Sequence, residues 1–149
     1  MLDPATAFSL AGLLAIAGWL ALVLSLFARP ARPLALTGAR FVVPTILAIA
    51  YVLLIWTGMS EAQGGGFGSI AEVRALFAND SALAAGWLHY LAFDLFVGAW
   101  IAEDGVARRV PVLLLVPCFA LTFLFGPAGL LLYLLLRLAL GRRPMTEAA

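Results

Sequence analysis

Apolar positions in this chain come in long unbroken runs, separated by short stretches of arginine, proline and glycine. The runs cover Thr6 to Ala28, Phe41 to Met59, Ala82 to Ala102 and Val110 to Leu136. Each nears or exceeds the roughly 20 apolar residues that cross about 30 Å of hydrocarbon. The pattern predicts an all-α integral membrane four-helix bundle, a single transmembrane domain over residues 1–149 with spans near 6–28, 41–59, 82–102 and 110–136.

The breaks carry their own signals. Small residues recur four apart in the first run (Ala7, Ala11 and Ala15, then Ala17 and Ala21), a spacing that lets helix backbones approach closely. RPARP ends that run, with Pro30 and Pro33 as helix stops and Arg29 and Arg32 at headgroup level. Arg40 precedes the second span, Pro44 falls in its first turn, and Trp56 suits an interfacial anchor. After the flexible GGG come Ser69 and Glu72, spaced as a capping box, which predicts a short interfacial helix over 70–78 between spans two and three. Asn79-Asp80-Ser81 is positioned to cap the third span. The fourth run is about 27 residues, near 40 Å if straight, and must tilt or bend at Pro117 and Gly126-Pro127.

Composition agrees with this and narrows the function. Of 149 residues, 64% are apolar and only 11% charged, against about a quarter charged in soluble domains. The mean hydropathy is +1.08. The formal charge of +1 gives no basic surface for nucleic acid. All nine basic residues are arginine, which points to a high-GC bacterial coding sequence and an inner-membrane location. Cys118 is the single cysteine, so no internal disulfide or cysteine-based metal cluster can form. MLDPATAF lacks the basic start of a secretory signal, so the first run is expected to stay as a helix. With four spans, Arg29, Arg32, Arg40, Arg108 and Arg109 face one side, and Arg74, Arg137, Arg142 and Arg143 the other. That near balance leaves orientation open.

The chemistry concentrates in WLHYLAFDLFVGAWIAEDG, residues 87–105. An aspartate near the centre of a span costs about 2.5 to 3.5 kcal/mol on the insertion scale and usually faces the bundle interior. At 100° per residue, His89 shares a face with Phe93, Phe96, Trp100 and Glu103. Asp94 lies about 140° round, with Trp87, Tyr90 and Ile101. His89 and Asp94 are therefore no pre-formed pair, and they either flank one cavity or serve different neighbours. Tyr90 and Asp94 are one turn apart and within hydrogen-bond reach. Candidate acid–base residues are His89 and Asp94. Candidate substrate contacts are the aromatics Trp87, Tyr90, Phe93, Phe96 and Trp100, a wall that suits a polyene or quinone. Glu103 and Asp104 read as acids at a helix end. The sequence names no cofactor and no metal site. No G-x-S-x-G or phosphate loop is present.

W-x-H-Y-L-A-F-D-L-F-V-G, followed by E-D-G and by F-G-P-A-G-L-L-L-Y, resembles the ABA-deficient-four-like membrane family. The matching positions are Trp87, His89, Asp94, Phe96, Asp104 and Gly105, with Gly126 and Pro127 further on. Plant members are needed for neoxanthin formation, in which a 5,6-epoxide becomes an allenic alcohol. That reaction needs an acid at the epoxide oxygen and a base at a carbon-bound proton. The resemblance implies that His89 and Asp94 supply them, acting here on another carotenoid or isoprenoid. One position departs: the family's arginine five residues after the D-L-F aspartate is Ala99 here.

Three functions follow from these residues: an acid–base isomerase or related enzyme of carotenoid biosynthesis, a non-catalytic pigment-binding or scaffolding subunit, or a small proton-coupled transporter. The expected partners are membrane lipids, a carotenoid or other polyene, and further copies or subunits of a membrane complex.

Overall fold

Proline placement decides where the helices begin. In the computed structural model, which describes residues 2–140, α1 (Pro4–Phe27) opens on Pro4, where the missing amide hydrogen is harmless. Asp3 caps it, its carboxylate accepting from the Thr6 amide at 2.8 Å. The Thr6 hydroxyl and amide together hold the exposed Asp3 carboxyl below its ordinary range. The polar tail GRRPMTEAA, with Arg142 and Arg143, lies outside the described residues.

RPARP ends α1 but also starts the next rod, so the second span begins at Arg29 rather than Phe41. Pro30 and Pro33 each take a first-turn position, in a 3-10 turn (Arg29–Ala31) and in α2 (Arg32–Thr37). A π turn (Gly38–Val42) follows and leads into α3 (Val43–Glu61), giving 33 helical residues in all. The π turn has a cause: the Val43 amide reaches back five residues to the Gly38 carbonyl, just ahead of Pro44. The wider turn takes up the crowding that Pro44 imposes on the carbonyl one turn back.

The predicted short helix is present as α4 (Ile70–Leu76), capped by the Ser69 hydroxyl, which accepts from the Glu72 amide. Glu72 returns not to Ser69 but to the amide of Gly68, at 2.8 Å. Asn79 caps α5 (Asp80–Ala107), accepting from the amides of Ser81 and Ala82. This 28-residue helix is the centre of the fold: α1, α3, α6 and α7 all lie against it. Close approach depends on glycine at the crossings. A Cβ on Gly58 would meet the backbone of Ala82 at 2.6 Å, and one on Gly98 would overlap the Trp19 ring.

The chain is all-helical among the described residues, and three of its rods are long and apolar enough to cross a membrane. The fourth predicted span is a different object. Residues 110–136 do not form one bent helix but two short ones, α6 (Val112–Phe125) and α7 (Pro127–Leu140), 14 residues each. Gly126 reverses the chain with φ +40°, and Pro127 starts the new helix. α7 then runs back along α6. A Cβ on Gly129 would overlap the amide nitrogen of Thr122, while Leu115 of α6 and Tyr133 of α7 both meet Gly105. Fourteen residues reach only about 21 Å, short of a full crossing. Hydropathy cannot see this, because a glycine and a proline barely lower the mean of a leucine-rich run. A glycine at positive φ is nonetheless a reversal rather than a kink.

The hairpin changes which residues share an end of the bundle. One end holds the start of α1, the end of α3, α4 and the start of α5, with Asp3, Glu61, Glu72 and Asp80 beside Arg74. The other holds the end of α1, the start of the second rod, the end of α5, and both open ends of the hairpin. There lie Arg29, Arg32, Arg40, Arg108, Arg109 and Arg137. Among the described residues, the five against two that four spans would give becomes six arginines against Arg74 alone, Arg137 having changed ends. By the positive-inside rule, a membrane-embedded chain has its N terminus outside. Single cysteines at Ala107 and Leu140, in a Cys118→Ser background, are expected to label with an impermeant maleimide from the same, cytoplasmic side. Labelling from opposite sides would restore the fourth span.

Candidate functional site

The tip of the hairpin meets the middle of α5 at Asp94. A Cβ on Gly126 would stand 2.8 Å from Asp94 Oδ1, so the carboxyl sits directly on the reversal. One turn earlier, the Tyr90 hydroxyl donates to the carbonyl of Phe123 at 2.6 Å. The sequence explains why that carbonyl is available. In a continuing helix it would accept from the amide of residue 127, but residue 127 is Pro127 and has none. Tyr90 replaces the lost donor. Asp94 Oδ2, in contrast, is buried without a well-formed hydrogen bond among the described residues; the Tyr90 hydroxyl, already donating to Phe123, is the polar group that stands against this carboxyl. Beside it begins α7, whose N-terminal end carries the positive pole of the helix dipole.

His89 is elsewhere. It is exposed on the α3 side of α5, with ring centroids 5.8 Å from Tyr51 and 4.7 Å from Phe93. Phe93 and Phe96 line a shallow apolar groove there with Pro44, Thr45 and Ala48. His89 and Asp94 therefore serve different neighbours, the second of the two arrangements open from the sequence. The expected aromatic wall is divided too. Trp87 lies between Phe8, at 5.3 Å, and Tyr90, at 5.4 Å, on the Asp94 flank. Trp100 stands edge-on to Tyr133, at 5.3 Å.

The two helix-end acids have separate fates. Glu103 is exposed and pairs with Arg40 across the bundle. Asp104 is mostly buried and anchors the hairpin: it accepts from Arg108 Nε at 2.9 and 3.0 Å, from Arg137 Nε at 2.8 Å, and from the Tyr133 hydroxyl. Arg108, Tyr133 and Arg137 were not singled out from the sequence. The pairs Asp104/Arg108 and Tyr133/Arg137, each one helical turn apart, were the signal available. Ala99 of α5 is fully buried in the hydrophobic core, so an arginine there would need that core rebuilt. Among the described residues, no three His, Cys, Asp or Glu side chains are placed to hold a metal ion.

Asp104→Asn is expected to destabilise the detergent-solubilised protein by about 2 kcal/mol, because two guanidinium groups lose their counter-charge in a mostly buried place. Glu103→Gln, at an exposed pair, should cost under about 0.5 kcal/mol. Tyr90→Phe should cost about 1 to 2 kcal/mol by leaving the Phe123 carbonyl unpaired. Thermal unfolding of the three variants checks the order.

No curated protein and no solved structure matches the chain. The family model described as ABA DEFICIENT 4-like matches residues 6–133, a stretch that runs from the first helix past Asp94 and the reversal at Gly126 to Tyr133. That family suggests a carotenoid-related function in general. On that match the chain belongs to the ABA DEFICIENT 4-like family.

Proposed function

We propose that the chain is a small integral protein of the bacterial inner membrane that modifies a carotenoid or related polyene isoprenoid by acid–base chemistry, with Asp94 as the proton-transferring group. One observation carries this reading: a carboxyl oxygen is left without a partner beside a helix break, inside an otherwise apolar bundle. A buried polar atom normally finds a hydrogen-bond partner, and a carboxyl oxygen left unpaired in an apolar setting points to a role in proton transfer. Tyr90 neighbours it and is held in place by its bond to Phe123. An isomerase needs one proton delivered and one removed, and a carboxyl can do both in turn when the substrate lies still. Trp87 and Phe8 continue the apolar flank along which a polyene would lie. His89 belongs to this proposal only as a second group on the opposite flank.

A non-catalytic pigment-binding subunit is the second reading, favoured by the aromatic groove between α1 and α6. The transporter reading loses support for dual topology, since six of the seven arginines among the described residues lie at one end. Expression in carotenoid-producing cells, followed by pigment profiling, separates the two that remain. The wild-type chain is expected to alter the pigment profile. Asp94→Asn should abolish the change at equal membrane abundance, and His89→Ala should retain at least part of it. An unaltered profile with the wild-type chain, together with co-purified pigment, would instead establish the binding subunit.

A further inference from the structure

A pocket at the arginine-rich end of the bundle takes no part in the chemistry at Asp94. It has a volume of about 350 Å³ and lies where the second rod passes the end of α5. Arg32, Leu36 and Arg40 stand about one turn apart on the rod, with Thr37 and Phe41 beside them, and Glu103 of α5 closes the other side. Its polar groups are held in place but not used up. Arg32 donates through Nε to the Ser25 carbonyl in the last turn of α1, at 3.2 Å, so its two terminal nitrogens have no partner among the described residues. Arg40 gives Nη2 to Glu103 at 2.5 Å; its Nε is buried, and Nη1 is the nitrogen left over. Thr37 is exposed, and its hydroxyl makes no bond back along the helix. Those of Thr57 and Thr122 do, each donating to the carbonyl four residues earlier.

Depth and charge together select the occupant. Glu103 is four residues from the end of α5, about 6 Å, and Arg32 is three residues from the start of the rod at Arg29. Both therefore sit at headgroup level, where the phosphodiesters of phospholipids lie. Arginine suits a phosphate because its planar fork can donate two parallel hydrogen bonds. Two guanidinium groups against one carboxylate leave the pocket with a single positive charge. That matches the single negative charge of an anionic phospholipid, whereas a zwitterionic lipid brings no net charge. The wall continues inward through Leu36 to the exposed Phe41, which offers contact to acyl chains that a free phosphate ion lacks. Basic pockets between membrane helices on the cytoplasmic side hold anionic headgroups by the same forces.

We propose that this pocket binds the headgroup phosphate of an anionic phospholipid, with Arg32 as the principal donor, Arg40 and Thr37 beside it, and Glu103 limiting the affinity. The inference rests on the membrane location proposed above and not on the acid–base chemistry, so lipid binding tests the one and pigment profiling the other.

The test is native mass spectrometry of the full chain released from detergent, titrated with phosphatidylglycerol, phosphatidylethanolamine or phosphatidylcholine of identical acyl chains. Phosphatidylglycerol is expected to bind roughly fivefold more tightly than either zwitterionic lipid, the worth of one arginine near the surface. Arg32→Gln should remove that preference. Arg29→Gln alters an exposed arginine at the same end but outside the pocket, and should leave most of it. Glu103→Gln frees Arg40 and should tighten phosphatidylglycerol binding further, the opposite of what losing a merely structural ion pair would do. Equal binding of the three lipids overturns the proposal. So does a preference that falls equally in Arg29→Gln and Arg32→Gln, which is attraction to the charged end as a whole. Tighter binding of phosphatidylethanolamine, lost in Glu103→Gln, also overturns it and assigns the pocket to an ammonium group. Displacement of phosphatidylglycerol by excess inorganic phosphate overturns the lipid in favour of a free anion. The lipid series on the wild-type chain and on Glu103→Gln decides the matter even if Arg32→Gln fails to fold.

Discussion

Asp104 holds the C-terminal third of this protein in place. It lies in the last turns of the central helix, and Arg108, Tyr133 and Arg137 all converge on its one carboxylate. Two of those partners come from α7. Their bonds draw the returning arm of the hairpin to the end of α5 and set how far its tip reaches. A hydrogen-bonded group of opposite charges, mostly shielded from water, is costly to leave half-made, and that makes the anchor directional. With the open end of the hairpin held at Asp104, the tip has one place to go, which is the middle of α5 at Asp94.

The tip is where the backbone has to be reconciled with its surroundings. A helix that stops inside an apolar bundle leaves carbonyls without donors, and water is not there to replace them. Pro127 removes one donor outright, and Tyr90 supplies the substitute. Gly126 permits the turn at positive φ and leaves space for the Asp94 carboxyl. The same break that demands satisfaction from Tyr90 leaves Asp94 Oδ2 open, so the structural requirement and the candidate chemistry share one spot. A comparable shortage recurs at Trp19, where dense packing fixes a ring without providing an acceptor.

Much of this was readable before any coordinates. The caps at Ser69 and Asn79 are local: each side chain bonds to amides two or three residues ahead, so spacing alone announces them. The length of α1 follows from hydropathy; α5 runs on past the expected 82–102 to Ala107, because its last turns carry the polar Glu103 and Asp104 that close the apolar run without ending the helix. Asp94 and its neighbour Tyr90 were visible as polar groups one turn apart in an apolar run. The separation of His89 from Asp94 was visible as well, since a helix turns 100° per residue whatever surrounds it. Two things were not legible. The early start of the second rod depends on prolines that act as helix starts as readily as stops. The hairpin depends on a reversal whose residues, Gly126 and Pro127, equally suit a bend.

The sequence alone determined the helical, apolar character of the chain and its family, together with the angular position of each polar group on its own helix. These are properties of composition, of helical geometry and of short-range hydrogen bonds, all of which act within a few residues. Tertiary structure decided which helices meet. It turned a presumed fourth crossing into a hairpin, brought Arg137 to the end that already held five arginines, made Asp104 an anchor as well as a helix-end acid, and set Asp94 against Gly126. The physical reason is that close packing and paired buried charges depend on residues far apart in the chain. Asp104 and Arg137, 33 residues apart, meet only because the chain reverses at Gly126.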